Sequence, residues 1–180
     1  RDAAAQALSG AARPRVAVAP GASNATKRWP AERFAEVADA LAGEGASLVL
    51  AGGPADAEAI GRFRAALRAP LAADLSGLSV EGLAAGLAAV DLLVACDSGP
   101  VHLAGAVGTP ALAVFGPTSE ERWGPRPPGE TVRLAVDCAP CSNHGGARCP
   151  EGHHRCMAEL PADVVIERAR SMLAATRRPD

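Results

Sequence analysis

Short, unbroken apolar runs separated by helical patterns constrain this chain more than any other feature. Val16–Ala19, Ser47–Ala51, Leu92–Cys96 and Ala111–Phe115 each read as a buried strand. A strand with one wet face alternates apolar with polar residues; these do not, so both of their faces must be covered. Between them lie helix periods: Phe34, Val37, Ala38 and Leu41 after Pro30; Ile60, Phe63 and Leu67; Leu83, Leu87 and Val90 after Ser79; and residues 100–107. Ser79 is an N-cap candidate with Glu81 in the first turn. The alternation predicts an α/β fold, a doubly wound, Rossmann-like parallel sheet with helices on both faces. A short extended piece at Leu71–Leu75, a strand at Thr131–Val136 and a closing helix from Pro161 complete the expected set. That last helix places Val164, Val165, Ala169, Met172 and Leu173 along one side.

The chain's 180 residues suit one domain, taken as 15–180, preceded by a linker or short Ala-rich helix at 1–14. Apolar residues make up 48% but aromatics only 3%, so the core must be built from Ala, Val and Leu. No apolar run reaches the roughly 18–20 residues of a membrane span, and no signal peptide is visible. A formal net charge of −2 argues against a nucleic-acid partner, which selects a basic surface. Arg1 stands where an initiator Met is expected, which suggests a piece of something longer.

The polar motifs all leave strands at the same end. In an open parallel sheet ligands collect outside the carboxyl ends of the strands, and residues 21–27, 52–58, 97–102 and 116–118 all follow strands. Asp97-Ser98-Gly99-Pro100 runs straight from strand to helix. Pro100 suits a first turn, and Ser98 and Gly99 present N–H groups without intrahelical acceptors, a setting that favours phosphate. The loop GASNATKR is no Walker loop, because Thr26 and Arg28 flank Lys27 where Gly and Ser or Thr are needed. It offers Ser23, Asn24 and Thr26 as donors and Lys27 as a cation for a diphosphate. Gly52-Gly53-Pro54 is not a dinucleotide fingerprint, yet Asp56 or Glu58 beyond it can accept from ribose hydroxyls. Asp97 should avoid phosphate on charge grounds, so a sugar hydroxyl suits it, with His102 one turn on. Ser98 lacks the flanking glycines of a hydrolase elbow. Each residue also has a plain structural alternative: a solvated Lys27, an acidic first turn for Asp56 and Glu58, a helix cap for Asp97, a packed His102.

The five cysteines divide into Cys96, a small buried hydrophobe in its strand, and a cluster in a Cys-rich loop at 137–158. Cys138-x2-Cys141 with Cys149 and Cys156 partly matches a structural zinc site, although the second pair is too widely spaced for a standard ribbon. Two disulfides or four free thiols are the other readings, and His144, His153 and His154 are optional ligands.

The segments PGASNATKRWP, LVLAGGPADAE, VACDSGPVHLAGAVGTPALAVFGPT and the CAPC…CP…HHRCM tail together resemble glycosyltransferase family 9, the heptosyltransferases. The likeness runs from about residue 15 to 175 and implies the C-terminal, donor-binding half of a GT-B glycosyltransferase. It implies ADP-heptose or a similar nucleotide sugar as donor, a lipid-linked, lipopolysaccharide-type saccharide as acceptor, and an N-terminal domain of the same protein as partner. Ser23, Asn24 and Lys27 would then contact the diphosphate, and Glu58 or Asp56 the ribose. Asp97, Ser98, Gly99 and His102 would contact the sugar and its phosphate, with Thr118 near the mouth of the cleft. Lys27 would also stabilise the leaving group of an inverting transfer. The general base would belong to the absent N-terminal domain, so this chain would bind donor and transfer sugar poorly. No cofactor is required on this reading, and a structural zinc is the one metal open. The setting is cytoplasmic, or peripheral at the inner membrane. A nucleotide-sugar epimerase and a non-catalytic nucleotide-binding module are the alternatives.

Overall fold

The apolar runs become parallel strands of one sheet. The structure, a computed structural model, describes residues 2–176. In chain order the elements are α1 (Asp2–Ala7), β1 (Arg15–Ala19), α2 (Ala31–Gly43), β2 (Ser47–Leu50), α3 (Ala57–Ala66), β3 (Leu71–Asp74), α4 (Val80–Leu87) and β4 (Leu92–Cys96). Then follow α5 (Gly99–Ala106), β5 (Ala111–Phe115), α6 (Glu120–Trp123), β6 (Glu130–Arg133), α7 (Arg155–Ala158) and α8 (Ala162–Thr176). The sheet order is β3-β2-β1-β4-β5-β6, every pairing parallel, which is the doubly wound Rossmann order.

Two residue sizes divide the sheet's faces. Val16, Val18, Leu48, Leu50, Leu92, Val94, Leu112 and Val114 share a core with Phe34 and Leu41 of α2, Phe63 of α3, and Val165, Ala169 and Met172 of α8. The intervening positions are largely small: Ala17, Ala19, Ala51, Ala95, Ala111 and Ala113 pack with Leu83 and Leu87 of α4 and Val101 and Ala104 of α5. Burying one Val, Leu or Phe is worth about 1.5–3 kcal/mol. Strands of four or five residues therefore owe their stability to these two cores.

Several details differ from the sequence expectation. The segment at 71–75 is a full edge strand of the sheet. The last strand is Glu130–Arg133, ending before Val136, because only these residues pair with β5. Val164 is exposed instead of joining the apolar side of α8, whose buried line runs through Ala162, Val165, Ala169, Met172 and Leu173. At the amino end, Leu8 and Ala11 after α1 lie in the same core as α4. The Ser79 hydroxyl caps α4 by accepting from the Gly82 N–H at 3.2 Å.

Candidate functional site

The chain reverses its direction of winding between β1 and β4, which lie side by side in the sheet. Connections there leave in opposite directions and open a crevice at the carboxyl ends. Three expected site residues meet in it from three loops. Lys27 Nζ lies 3.2 Å from Asp97 Oδ2, and the Thr118 hydroxyl donates to the same oxygen at 2.7 Å. The side chains of Lys27 and Asp97 are only 12% and 6% exposed. A carboxylate this sheltered needs a cation and hydrogen-bond donors, and it has both. Asp97 thus holds Lys27 of the β1 loop in place and takes up part of its charge. Beside it, the Ser98 hydroxyl turns back to the Cys96 carbonyl at 3.1 Å, leaving α5 without a side-chain cap. The Gly99 N–H, at the first helical position, has no intrahelical acceptor.

Other candidates are placed differently. Thr118 is buried beneath the crevice, not at its mouth, because its hydroxyl is needed by Asp97. Asp56 accepts from the Gly53 N–H at 2.9 Å and packs directly against Gly21, so it fastens the β1 loop to the β2 loop. Any Cβ at position 21 would collide with that carboxylate. Glu58 stands exposed in the first turn of α3, 3.9 Å from Arg28 of the β1 loop. Ser23 is exposed, and the Asn24 amide gives one of its two N–H donors to the His144 carbonyl at 2.7 Å. Thr26 is buried and bonded to Gly146, so it is not a free phosphate donor. His102 is exposed on α5 and faces Trp123, with ring centroids 6.5 Å apart.

Spacing along the chain could not show the clasp that the Cys-rich loop makes on the β1 loop. The Thr26 N–H and hydroxyl both donate to the Gly146 carbonyl at 3.0 Å, and the Gly146 N–H donates to the Thr26 hydroxyl at 2.7 Å. His154 Nε2 donates to the Thr26 carbonyl at 2.7 Å. Gly145, with φ of +79°, lets its backbone pass over Lys27: a Cβ there would sit 2.8 Å from Lys27 Cγ. The same segment reaches β5, as the Cys141 and Ser142 N–H groups donate to the Pro117 carbonyl at 2.9 Å. All five cysteines are free thiols, which sets aside the disulfide reading. Cys138 Sγ stands 3.9 Å from His153 Nε2, and among the described residues no three of His, Cys, Asp and Glu converge as a metal cage. Burial pushes the Cys96 thiol up to about 12, with the N–H of Trp29 opposing and the Asp97 charge adding to the rise.

Beside the crevice, between the β2 loop, α4 and α5, lies a cleft of about 550 Å³ with Gly53, Leu78, Val80, Gly99, His102 and Leu103 in its walls. Val80 is 69% exposed there, a large apolar side chain left uncovered. A larger groove of about 880 Å³ under α1 and α4 is lined mostly by apolar residues, and half of its lining residues are alanines. Its one cation, Arg15, is already held by the carbonyls of Ala11 and Ala89, so this groove offers little chemistry.

Residues 1–152 match the family model described as Glycosyltransferase family 9 (heptosyltransferase). The chain belongs to glycosyltransferase family 9. Lipooligosaccharide heptosyltransferase 2 of Campylobacter jejuni is 31% identical over 160 residues, covering 86% of this chain and 49% of that protein. Among solved structures, ADP-heptose LPS heptosyltransferase II of Escherichia coli superposes with a TM-score of 0.80 at 27% identity, over 98% of this chain and 52% of that one. A family 9 glycosyltransferase of Veillonella parvula gives 0.84 at 26% identity, over 97% and 51%. The Rossmann-like sheet is therefore that of a GT-B heptosyltransferase, as the motifs implied. This family 9 chain spans about half the length of the curated relatives it matches.

Proposed function

We propose that this chain is the donor-binding half of an inverting glycosyltransferase that moves a heptosyl group from ADP-heptose to a lipopolysaccharide-type acceptor. One observation carries the reading: Lys27, Asp97 and Thr118 converge beside the uncapped first turn of α5, with an apolar cleft next to them. The diphosphate lies against the Gly99 N–H and Lys27, and the base against Val80 and Leu103. The free Oδ1 of Asp97 faces a sugar hydroxyl. In the reaction an acceptor hydroxyl attacks the anomeric carbon from the face opposite the phosphate. The bond from that carbon to the phosphate oxygen breaks, and ADP departs with the electron pair. Charge grows on the departing phosphate, where preoriented N–H groups and Lys27 stabilise it without a metal. The hydroxyl proton passes to a base in the parent's N-terminal domain. Asp97 is not that base, since Oδ2 already accepts from Lys27 and Thr118. The matched relatives' names and the half-length coverage support both the chemistry and the missing partner domain, and favour transfer over epimerisation. Among the described residues no helix is long and apolar enough to cross a membrane. The reading places the chain on the cytoplasmic side, peripheral to the membrane that carries the acceptor.

Calorimetry with ADP and adenosine tests this. Lys27→Ala should weaken ADP binding about ten- to a hundred-fold, the range of a charge-assisted hydrogen bond, and leave adenosine nearly unchanged. Equal losses for both ligands would remove Lys27 from a phosphate site and with it the donor assignment.

A further inference from the structure

A second cleft, of about 430 Å³, lies on the other side of α5, between that helix and α6. Its walls include Val101, His102 and Gly105 on one side and Arg122, Trp123 and Arg126 on the other. His102 also lines the apolar cleft described above, so the two hollows share a wall. Two features set the second one apart. Arg122 and Arg126 are exposed and have no carboxylate partner among the described residues; ten other described basic residues are ion-paired, and the remaining unpaired ones, Arg15, Arg33 and Arg148, do not line this cleft. Arg122 contacts only neutral groups, the Trp123 ring at 5.1 Å and Asn143 Oδ1 at 3.4 Å. Of the two acids in the same short helix, Glu120 is engaged by Thr131 and Arg133, and Glu121 is exposed and forms no ion pair with Arg122 or Arg126. Trp123 is also fixed before any ligand arrives. Its Nε1–H donates to the Asn143 carbonyl at 2.7 Å, and His144 lies 5.3 Å from it, centroid to centroid.

We propose that this cleft is a subsite for an acidic saccharide, its ring against Trp123 and His102 and its carboxylate or phosphate on Arg122 and Arg126. The proposal rests on the transfer reading above, in which the acidic sugar belongs to the acceptor. An aromatic wall buries the apolar face of a sugar ring, and unpaired guanidinium forks select planar oxyanions. Because Trp123 is held in advance, little side-chain freedom is lost on binding. The donor itself supplies no reason for two further cations, since its diphosphate already meets Lys27 and the first turn of α5.

The chain carries its own reporter. It has two tryptophans, and Trp29 is buried, so fluorescence quenching by an added sugar reports Trp123, with Trp123→Phe as the silent control. The probes are glucuronic acid, glucose 6-phosphate, glucose and inorganic phosphate at millimolar concentration, with ADP followed in parallel by calorimetry. One or both acidic sugars should quench and glucose should not; which acid binds better tells carboxylate from phosphate. The double variant Arg122→Ala, Arg126→Ala should lose at least ten-fold in acidic-sugar affinity and keep its affinity for ADP. Inorganic phosphate binding as tightly as the phosphosugar, glucose binding equally well, or a double variant that binds like the parent would each overturn the proposal. Competition between ADP and the acidic sugars would overturn it too, by returning the arginines to the donor. If wild type takes the acidic sugars but no ADP, the donor reading fails while the saccharide site stands.

Discussion

Lys27 is paired with Asp97 in the fold and, in the proposed function, also holds the diphosphate; the two roles can be separated. Removing one member of a sheltered ion pair leaves the other unpaired, at a cost of about 3 kcal/mol. For a domain of this size each kcal/mol shifts the melting temperature by about 2–4 °C, so Lys27→Ala should lower it by about 6–12 °C. Asp97→Asn added to that variant removes the stranded charge and should recover part of the loss, but not the affinity for ADP. Differential scanning calorimetry beside ligand titration reads both; a double variant no more stable than Lys27→Ala would mean the pair contributes little. Cys96 belongs to the same scale. With its thiol pushed up to about 12 and no exposed surface, it should stay unalkylated in the native protein at pH 8. Cys138 and Cys149, half-buried in the loop, should be labelled well ahead of it, as peptide mapping would show. If those two react only after a chelator is added, a metal such as zinc holds them.

At the scale of elements, contacts between loops far apart in sequence hold the crevice in shape. Gly145 marks where the Cys-rich loop crosses Lys27, and Gly145→Ala adds both a left-handed strain of about 1–2 kcal/mol and a collision with the lysine stem. The expected result is a loss of ADP affinity larger than the loss of stability, measured by calorimetry and thermal melts. Farther away, Asp39 on α2 holds the turn after α3 by accepting the Arg68 and Ala69 N–H groups at 3.0 and 2.8 Å. Burial opposes its charge, but the Ala69 N–H, the Arg68 guanidinium and the Arg68 N–H outweigh that and hold the carboxyl below its ordinary value near 3.8. A depressed folded pKa means that the contribution to stability is complete above that ordinary value. It is lost as pH falls from there toward the folded pKa. Asp39→Asn should therefore cost on the order of 1 kcal/mol at neutral pH and progressively less in acid, seen as converging melting curves below about pH 4. Curves that stay parallel would show that Asp39 does not carry this linkage.

For the whole molecule, the proposed function makes this sheet one half of a transferase, holding the donor along one edge and relying on a partner domain for the chemistry. The 180-residue chain should bind ADP and show no heptosyl transfer on its own, and adding the parent's N-terminal half should restore turnover in a product assay. Transfer by the chain alone would mean that the base lies within it. Much of this arrangement was legible beforehand. The unbroken runs at Leu92–Cys96 and Ala111–Phe115 could only be strands covered on both sides, and their carboxyl ends pointed to one edge. Lys27, Asp97 and Thr118 were candidates because each follows such a strand. Asp56 and Glu58 looked alike in the sequence, yet Asp56 is bonded to the Gly53 N–H and Glu58 stands exposed 3.9 Å from Arg28, a matter of helix phase that acidic character does not reveal. Trp123 carried only a faint signal, an aromatic residue in a Pro- and Gly-rich stretch.

The sequence by itself determined the class of fold, the end of the sheet at which the polar motifs converge and the helix that opens at Ser98-Gly99-Pro100. Local chemistry suffices for these, since apolar periodicity and the geometry of proline act over a few residues. Only the tertiary structure decided which donors are free. Thr26 and one N–H of Asn24 are taken up by a loop about 120 residues away, Asp56 binds within a neighbouring turn, and Arg122 and Arg126 are left without a carboxylate among the described residues. A polar group's availability depends on what the rest of the chain places beside it, and no stretch of sequence carries that information alone.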